Sequence, residues 1–225
     1  MTFSLIAHDP TSGAVGMVVT SSSPCVAARC IHLRSGVGAA ASQNVTDPQL
    51  GQKLLDALEN GSTPEEAIQK VTNGTPHIEY RQLTVVDTRG RTAHFSGAGT
   101  LGTHNVVEGE HAVAAGNLLS TVTVPEAMMR AFNECSSDFL EEKLLAGIRA
   151  GLDAGGEEGP VHSVGIKVLE EYPWAVTDLR VDWHETDPIG ALEELWEQWK
   201  TEKAAYKTRA VDPTDAPSYG VPGDE

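Results

Sequence analysis

The sequence predicts an α+β fold in which two antiparallel sheets stack face to face, with helices covering their outer sides. Apolar runs of strand length come in pairs joined by short turns, as in Phe3–His8 with Ala14–Thr20. Between those pairs lie segments whose apolar residues recur at helical spacing, such as Leu50, Leu54, Leu55 and Leu58. Two helix pairs and a long C-terminal helix must each cover an apolar sheet face, which favours a four-layer αββα sandwich. A single-sheet α+β domain is the competing architecture.

The first hairpin turns at Asp9-Pro10-Thr11-Ser12-Gly13, and a polar break, Ser21-Ser22-Ser23-Pro24, follows it. Val37–Ser42 is a strand of small residues, suited to close packing. Pro48–Glu59 is a helix that stops at Asn60-Gly61. Ser62-Thr63-Pro64-Glu65-Glu66 opens the next with a capping residue, a first-turn Pro and two acids, and its apolar face is Ala67, Ile68 and Val71. Arg81–Asp87 and Arg91–Ser96 form a second hairpin around Thr88-Arg89-Gly90. Loop glycines Gly97, Gly99, Gly102 and Gly109 lead to the strand His111–Gly116. Helices Val124–Cys135 and Asp138–Ala154 come next, the second halted by Gly155-Gly156. Val161–Leu169 and Ala175–Asp182 form the last hairpin. Asp187-Pro188 begins a helix whose Leu192, Leu195, Trp196 and Trp199 face either the sheet or a neighbouring subunit, so a homodimer is expected. Residues 1–208 thus form one domain, and 209–225, rich in Pro, an extended or loose tail.

Composition narrows the function. The chain carries 16 Lys and Arg against 32 Asp and Glu, and a charge of -16 argues against nucleic acid, whose phosphates demand cations. No run approaches the ~18 apolar residues of a membrane span. No basic segment precedes a long apolar stretch at the N-terminus, so a cytoplasmic address is expected. Cys25, Cys30 and Cys135 lack zinc-site spacing, and the histidines show neither HxH nor HExxH, so neither metal nor cofactor is expected.

The N-terminus carries the sharpest chemical signal. Thr2 stands one residue behind the initiator Met1, at the head of a hairpin. Once Met1 is removed, hydroxyl and α-amine belong to the same residue. An amine with a pKa of ~7.7–8.0 accepts the hydroxyl proton near neutral pH, which makes a self-contained nucleophile. The plainer explanation is that small second residues are common because they permit Met removal.

The chain also resembles the bacterial DUF1028 family, whose members share the N-terminal nucleophile (Ntn) hydrolase-like fold. The resemblance runs from Thr2 to about Leu195 and rests on several stretches in order. They are Thr2-Phe3-Ser4-Leu5-Ile6-Ala7-His8-Asp9, Ser35-Gly36-Val37-Gly38-Ala39, Arg81-Gln82-Leu83-Thr84-Val85-Val86-Asp87, Gly116-Asn117-Leu118-Leu119, Pro125-Glu126-Ala127-Met128 and Asp178-Leu179-Arg180-Val181-Asp182. It implies a four-layer αββα sandwich and an amide-bond hydrolase, without naming a substrate. The chain departs from the family's usual Gln-Gly-Asn at Ala115-Gly116-Asn117. It departs again from Gly-Gly-Asp and Gln-Ser at Gly155-Gly156-Glu157 and His162-Ser163. Those changes mean altered specificity or lost activity.

With that resemblance, Thr2 is the candidate nucleophile and Asn117 the candidate oxyanion donor, a turn-forming Asn being the alternative. Ser4 shares the strand face of Thr2 and either orients the amine or is a plain polar strand residue. Ser22, Gln43 and His162 are candidate substrate-binding residues, each with an ordinary surface or turn role beside it. Cys25 is a rival nucleophile, although a solitary thiol is more often inert. Asp178, Arg180 and Asp182 alternate along one strand as a charge ladder, and no helix follows Gly97-Ala98-Gly99-Thr100-Leu101-Gly102 to make a dinucleotide site. The expected function is cofactor-free hydrolysis of a small amide through an acyl-enzyme at Thr2. The alternative is a catalytically silent ligand-binding or oligomeric scaffold of the same fold.

Overall fold

A computed structural model describes residues 1–223. The elements run β1 (Thr2–His8), β2 (Val15–Ser21), α1 (Val26–Cys30), β3 (Ile31–Arg34), β4 (Gly38–Asn44), α2 (Pro48–Glu59), α3 (Pro64–Thr72) and β5 (Arg81–Asp87). They continue β6 (Thr92–Ser96), β7 (Asn105–Gly109), β8 (Ala112–Asn117), α4 (Val124–Glu134), α5 (Leu140–Asp153), β9 (Ser163–Leu169), β10 (Ala175–Val181) and α6 (Pro188–Val211). One sheet has the order β10-β9-β2-β1-β8-β7 and the other β3-β4-β5-β6. Every pairing is antiparallel.

Three apolar layers hold the stack. Leu50, Leu54, Leu55 and Ile68 of α2 and α3 pack on Leu83 and Val85 of the smaller sheet. Met128, Leu144, Ile148 and Trp196 of α4, α5 and α6 pack on Phe3, Leu5 and Val18 of the larger one. Ile6, Met17, Val19, Ala39, Ala41, Val86 and Val113 fill the space between the sheets. The architecture is the four-layer αββα sandwich, and the single-sheet alternative is excluded. Small Ala39 and Ala41 let the sheets approach closely.

This layering explains the character of β1. Phe3, Leu5 and Ala7 point to the helices, whereas Ile6 points to the second sheet, so Thr2 and Ser4, at even spacing from Ile6, share its side. All seven residues of β1 are buried, and a strand covered on both faces loses the polar alternation of a half-exposed one. Burial of Phe3 and Leu5 contributes about 1.5–3 kcal/mol each.

Helix starts follow their signals. Asp47 accepts from the Gln49 N–H at 3.0 Å, with Pro48 opening α2. Thr63 and Glu66 form a reciprocal capping box on α3. Asp178 pairs with Lys167 and Arg180, both at 2.9 Å, so the expected charge ladder ties the strands of the last hairpin.

α6 commits its tryptophans to this chain. Trp196 is buried in the core, and Trp199 donates from Nε1 to the Val176 carbonyl at 3.1 Å. Buried Glu141 of α5 accepts from Thr177 Oγ1 at 2.6 Å and from Lys203 Nζ at 2.7 Å, which clamps α6 to the sheet. The helix continues to Val211, past the expected start of the tail. Arg209 then donates to the Pro217 carbonyl at 3.0 Å and lies 3.8 Å from the Tyr219 ring centroid. Asp224 and Glu225, part of the expected tail, lie outside the described residues. No helix among the described residues is long and apolar enough to cross a membrane.

Candidate active site at the start of the first strand

A row of polar side chains crosses the larger sheet at the head of β1. Thr2 pairs with Asn117 of β8, and the β1–β2 register, with Phe3 opposite Thr20, sets Ser21 opposite Thr2. Ser21 in turn pairs with Ser163 of β9. Ser163, Ser21, Thr2 and Asn117 therefore stand side by side on four adjacent strands, and all four are buried. In β2, Ser21 has the same parity as Met17 and Val19, which lie between the sheets, so the row faces the second sheet. Ser21 Oγ donates to the Met1 carbonyl, and Thr2 Oγ1 donates to the same oxygen at 2.5 Å. Met1 thus sits over the nucleophile and occupies its hydrogen-bonding groups.

Beneath this row, a second polar layer links the sheets. Ser4 Oγ donates to Gln43 Oε1 at 2.7 Å, and Gln43 Nε2 donates to Gln82 Oε1 at 2.8 Å. Asn117 Nδ2 donates to the same Gln82 oxygen at 3.1 Å. Gln82 Nε2 donates to the Gly116 carbonyl at 3.1 Å and to Ser96 Oγ at 3.2 Å. Gln82 is the hub. Truncating it to leucine strands two amide groups and a carbonyl inside the protein, so Gln82→Leu should cost about 3–5 kcal/mol in urea unfolding. A loss below about 1 kcal/mol would mean that this layer is not what couples the sheets.

These bonds decide what each expected residue offers. Gln43 is fully enclosed and spent on Ser4 and Gln82, so it does not face a ligand. Ser4 is likewise spent on Gln43. Asn117 uses one of its two Nδ2 hydrogens on Gln82 and leaves Oδ1 buried without a partner. Turning that amide over would set two oxygens against each other. Asn117 presents an unpartnered acceptor beside Thr2 and keeps a second Nδ2 hydrogen that is not spent on Gln82. Ser21, in the polar stretch after the first hairpin, is the donor beside Thr2 and is not among the expected substrate-binding residues.

Glu157 is the second omission. It follows Gly155 and Gly156, both at positive φ of 114° and 56°, and forms an isolated bridge with Leu119. Only 4% of it is exposed, and neither carboxylate oxygen has a hydrogen-bond partner. Burial pushes its pKa from 4.5 up to about 7, against the opposing pull of the chain's amino terminus, Ser22 and His162. Ser22 lies close enough to favour the ionised form, yet neither its hydroxyl nor its N–H reaches hydrogen-bond geometry with the carboxylate. A buried, unpaired acid beside a chain end is an expensive arrangement, and such groups concentrate at functional sites.

The remaining expectations divide. Ser22 is half-buried and borders Glu157. His162 places Nδ1 2.9 Å from the His184 carbonyl and stacks on Trp183 at 4.4 Å between ring centroids, beside the same acid. Cys25 is exposed at a left-handed φ of 56°, outside the polar row. Thr2 itself is only 5% exposed. Met1 covers it. A cleft of about 660 Å³ under α6, lined by Ala14, Phe139, Tyr172 and Lys203 among others, does not include it. Nor does a polar cleft of about 640 Å³ near Asp87 and Arg89. Among the described residues, no three His, Cys, Asp or Glu side chains are grouped as metal ligands.

Comparison with known proteins follows the same outline. A DUF1028 protein from Silicibacter pomeroyi, known from its crystal structure, is 33% identical and superposes with a TM-score of 0.85, covering 91% of this chain and 92% of that one. Anbu (ancestral beta-subunit) from Yersinia bercovieri gives a TM-score of 0.43 at 8% identity, over 91% of this chain and 97% of that one. Anbu from a Hyphomicrobium strain gives 0.40 at 8% identity, over 98% and 100%. No curated protein matches the chain. Residues 2–192 match the family of unknown function DUF1028, from the Thr2 strand to the start of α6, and the chain belongs to that family.

Proposed function

We propose that this protein is an amide-bond hydrolase of the N-terminal-nucleophile type, acting on a small nitrogenous metabolite. The observation that carries this reading is the row Ser163–Ser21–Thr2–Asn117, which surrounds a hydroxyl at a chain end with hydrogen-bonding side chains. Loss of Met1 frees the Thr2 amine and the hydroxyl of Ser21 together. The amine takes the proton from Oγ1 as that oxygen attacks the substrate carbonyl carbon. The carbon–nitrogen bond breaks, the proton passes to the departing amine, and an ester remains on Thr2. Water then releases the acid and restores the hydroxyl. Ser21 Oγ supplies a hydrogen bond to the carbonyl oxygen as its charge grows. Asn117 Oδ1, left without a donor, accepts an N–H of the amide.

This chemistry requires Thr2 to be first in the chain. The intact mass of protein purified without a tag should be lighter by one Met residue (about 131 Da), as a free-amine nucleophile demands. A mass that retains Met1 favours the second reading, a non-catalytic binding or scaffold protein of the same fold. One observation supports that alternative directly: Thr2 is 5% exposed and covered.

A further inference from the structure

Glu157 has a place in the backbone as well as in the electrostatics of the site. The β1–β8 pairing ends with Thr2 opposite Asn117, and Leu118, at a left-handed φ of 50°, turns the chain before Leu119. Glu157 pairs with Leu119. The Ser120 N–H donates to the Gly156 carbonyl at 3.0 Å and the Glu158 N–H to the Leu118 carbonyl at 2.9 Å, as an antiparallel bridge requires. Leu119 directs its own N–H the other way, to the Thr103 carbonyl at 2.8 Å, on the β7 side. The Glu157 segment therefore bonds to the other side of this turn, just past the partner of Thr2, and Gly159 next to it approaches Met1, where an added Cβ would lie 3.3 Å from Met1 Cε. Both carboxylate oxygens are buried and lack donors, and the amino terminus that pulls on them passes from Met1 to Thr2 when Met1 departs.

We propose that Glu157 is the positioning residue for the Thr2 amino group, receiving it after Met1 is removed. The inference rests on the assignment of Thr2 as the working N-terminus. In the full chain the Met1 residue intervenes, and no ion pair to Glu157 forms among the described residues. In the processed chain the carboxylate holds the ammonium and fixes its direction toward Oγ1. The charged groups that face Glu157 are the amino terminus, at the head of β1, and His162, at the head of β9.

The test reads the amine and not turnover. Full-length protein is prepared with a cleavable tag whose removal leaves Thr2 first, as wild type, Glu157→Gln, Glu157→Asp and His162→Ala. The pH dependence of α-amine acylation, followed by mass spectrometry of the N-terminal peptide, gives the amine pKa in each. Wild type should exceed Glu157→Gln by about one unit or more, Glu157→Asp should recover part of the difference, and His162→Ala should leave most of it. Equal values in wild type and Glu157→Gln, both folded by circular dichroism, overturn the proposal. So does a Glu157→Asp value equal to that of Glu157→Gln. Because hydrolysis is not measured, an inactive protein with a shifted amine would sink the hydrolase reading and leave this pairing standing.

Discussion

Thr2→Ala abolishes turnover of any small amide or ureido compound that the Met-processed wild type cleaves, by a factor of about 10³ or more. Alanine is chosen because it is also small enough to permit Met removal, so the two chains begin alike. The substitution deletes the attacking oxygen and leaves the amine, which separates the loss of the nucleophile from the loss of processing. Among the described residues the Thr2 hydroxyl bonds only to the adjacent Met1 carbonyl, so the fold should not notice the change. The melting temperature is expected within about 2 °C of wild type, in keeping with a substitution worth only tenths of a kcal/mol. Unchanged turnover would remove Thr2 from the chemistry.

Glu157→Gln has the opposite character, a gain in stability that appears only at higher pH. An unfolded glutamate titrates near 4.5, whereas burial holds Glu157 at about 7 in the fold. Between those values the native state binds the extra proton, so the contribution of Glu157 to stability falls as pH rises from about 4.5 and is fully lost above about 7. The loss amounts to at most about 3 kcal/mol. Glutamine carries no proton to lose. In chains whose Met1 is retained behind an N-terminal extension, the variant should match wild type near pH 4.5 and exceed it above pH 7. Urea unfolding across that range measures the gap. In processed chains the Thr2 ammonium offsets part of the cost, and the gap should narrow.

Much of the fold was legible because its signals are local. The β1–β2 hairpin is written in two apolar runs around Asp9-Pro10, and α2 and α3 in their caps and apolar spacing. What escaped was set by distant partners. β7 (Asn105–Gly109) lies in a glycine-rich stretch that reads as loop and becomes a strand by pairing with β8. β3 is four residues long and is held by β4, after a short helix entered through a left-handed Cys25. The strand order, with β8 and β9 flanking the first hairpin, has no local signature.

The site divides in the same way. Thr2 was visible as a chain-end hydroxyl, and Asn117 as a strand-end amide. The orientation of the Asn117 amide depends on Gln82, thirty-five residues away in sequence and in the other sheet. Glu157 sits behind two glycines that read as a helix stop. Nothing near it shows that a bridge to Leu119 will carry it to the head of β1.

Covalent capture of the nucleophile tests the central claim most directly. A β-lactone offers a strained carbonyl that a hydroxyl opens to a stable ester, without any need to know the natural substrate. Peptide mass spectrometry of the treated, Met-processed protein should find one adduct on the N-terminal peptide at Thr2. Protein in which an N-terminal extension still covers Thr2 should remain unlabelled. An adduct at Cys25, equal labelling of the covered chain, or no adduct at all would contradict Thr2 as the nucleophile.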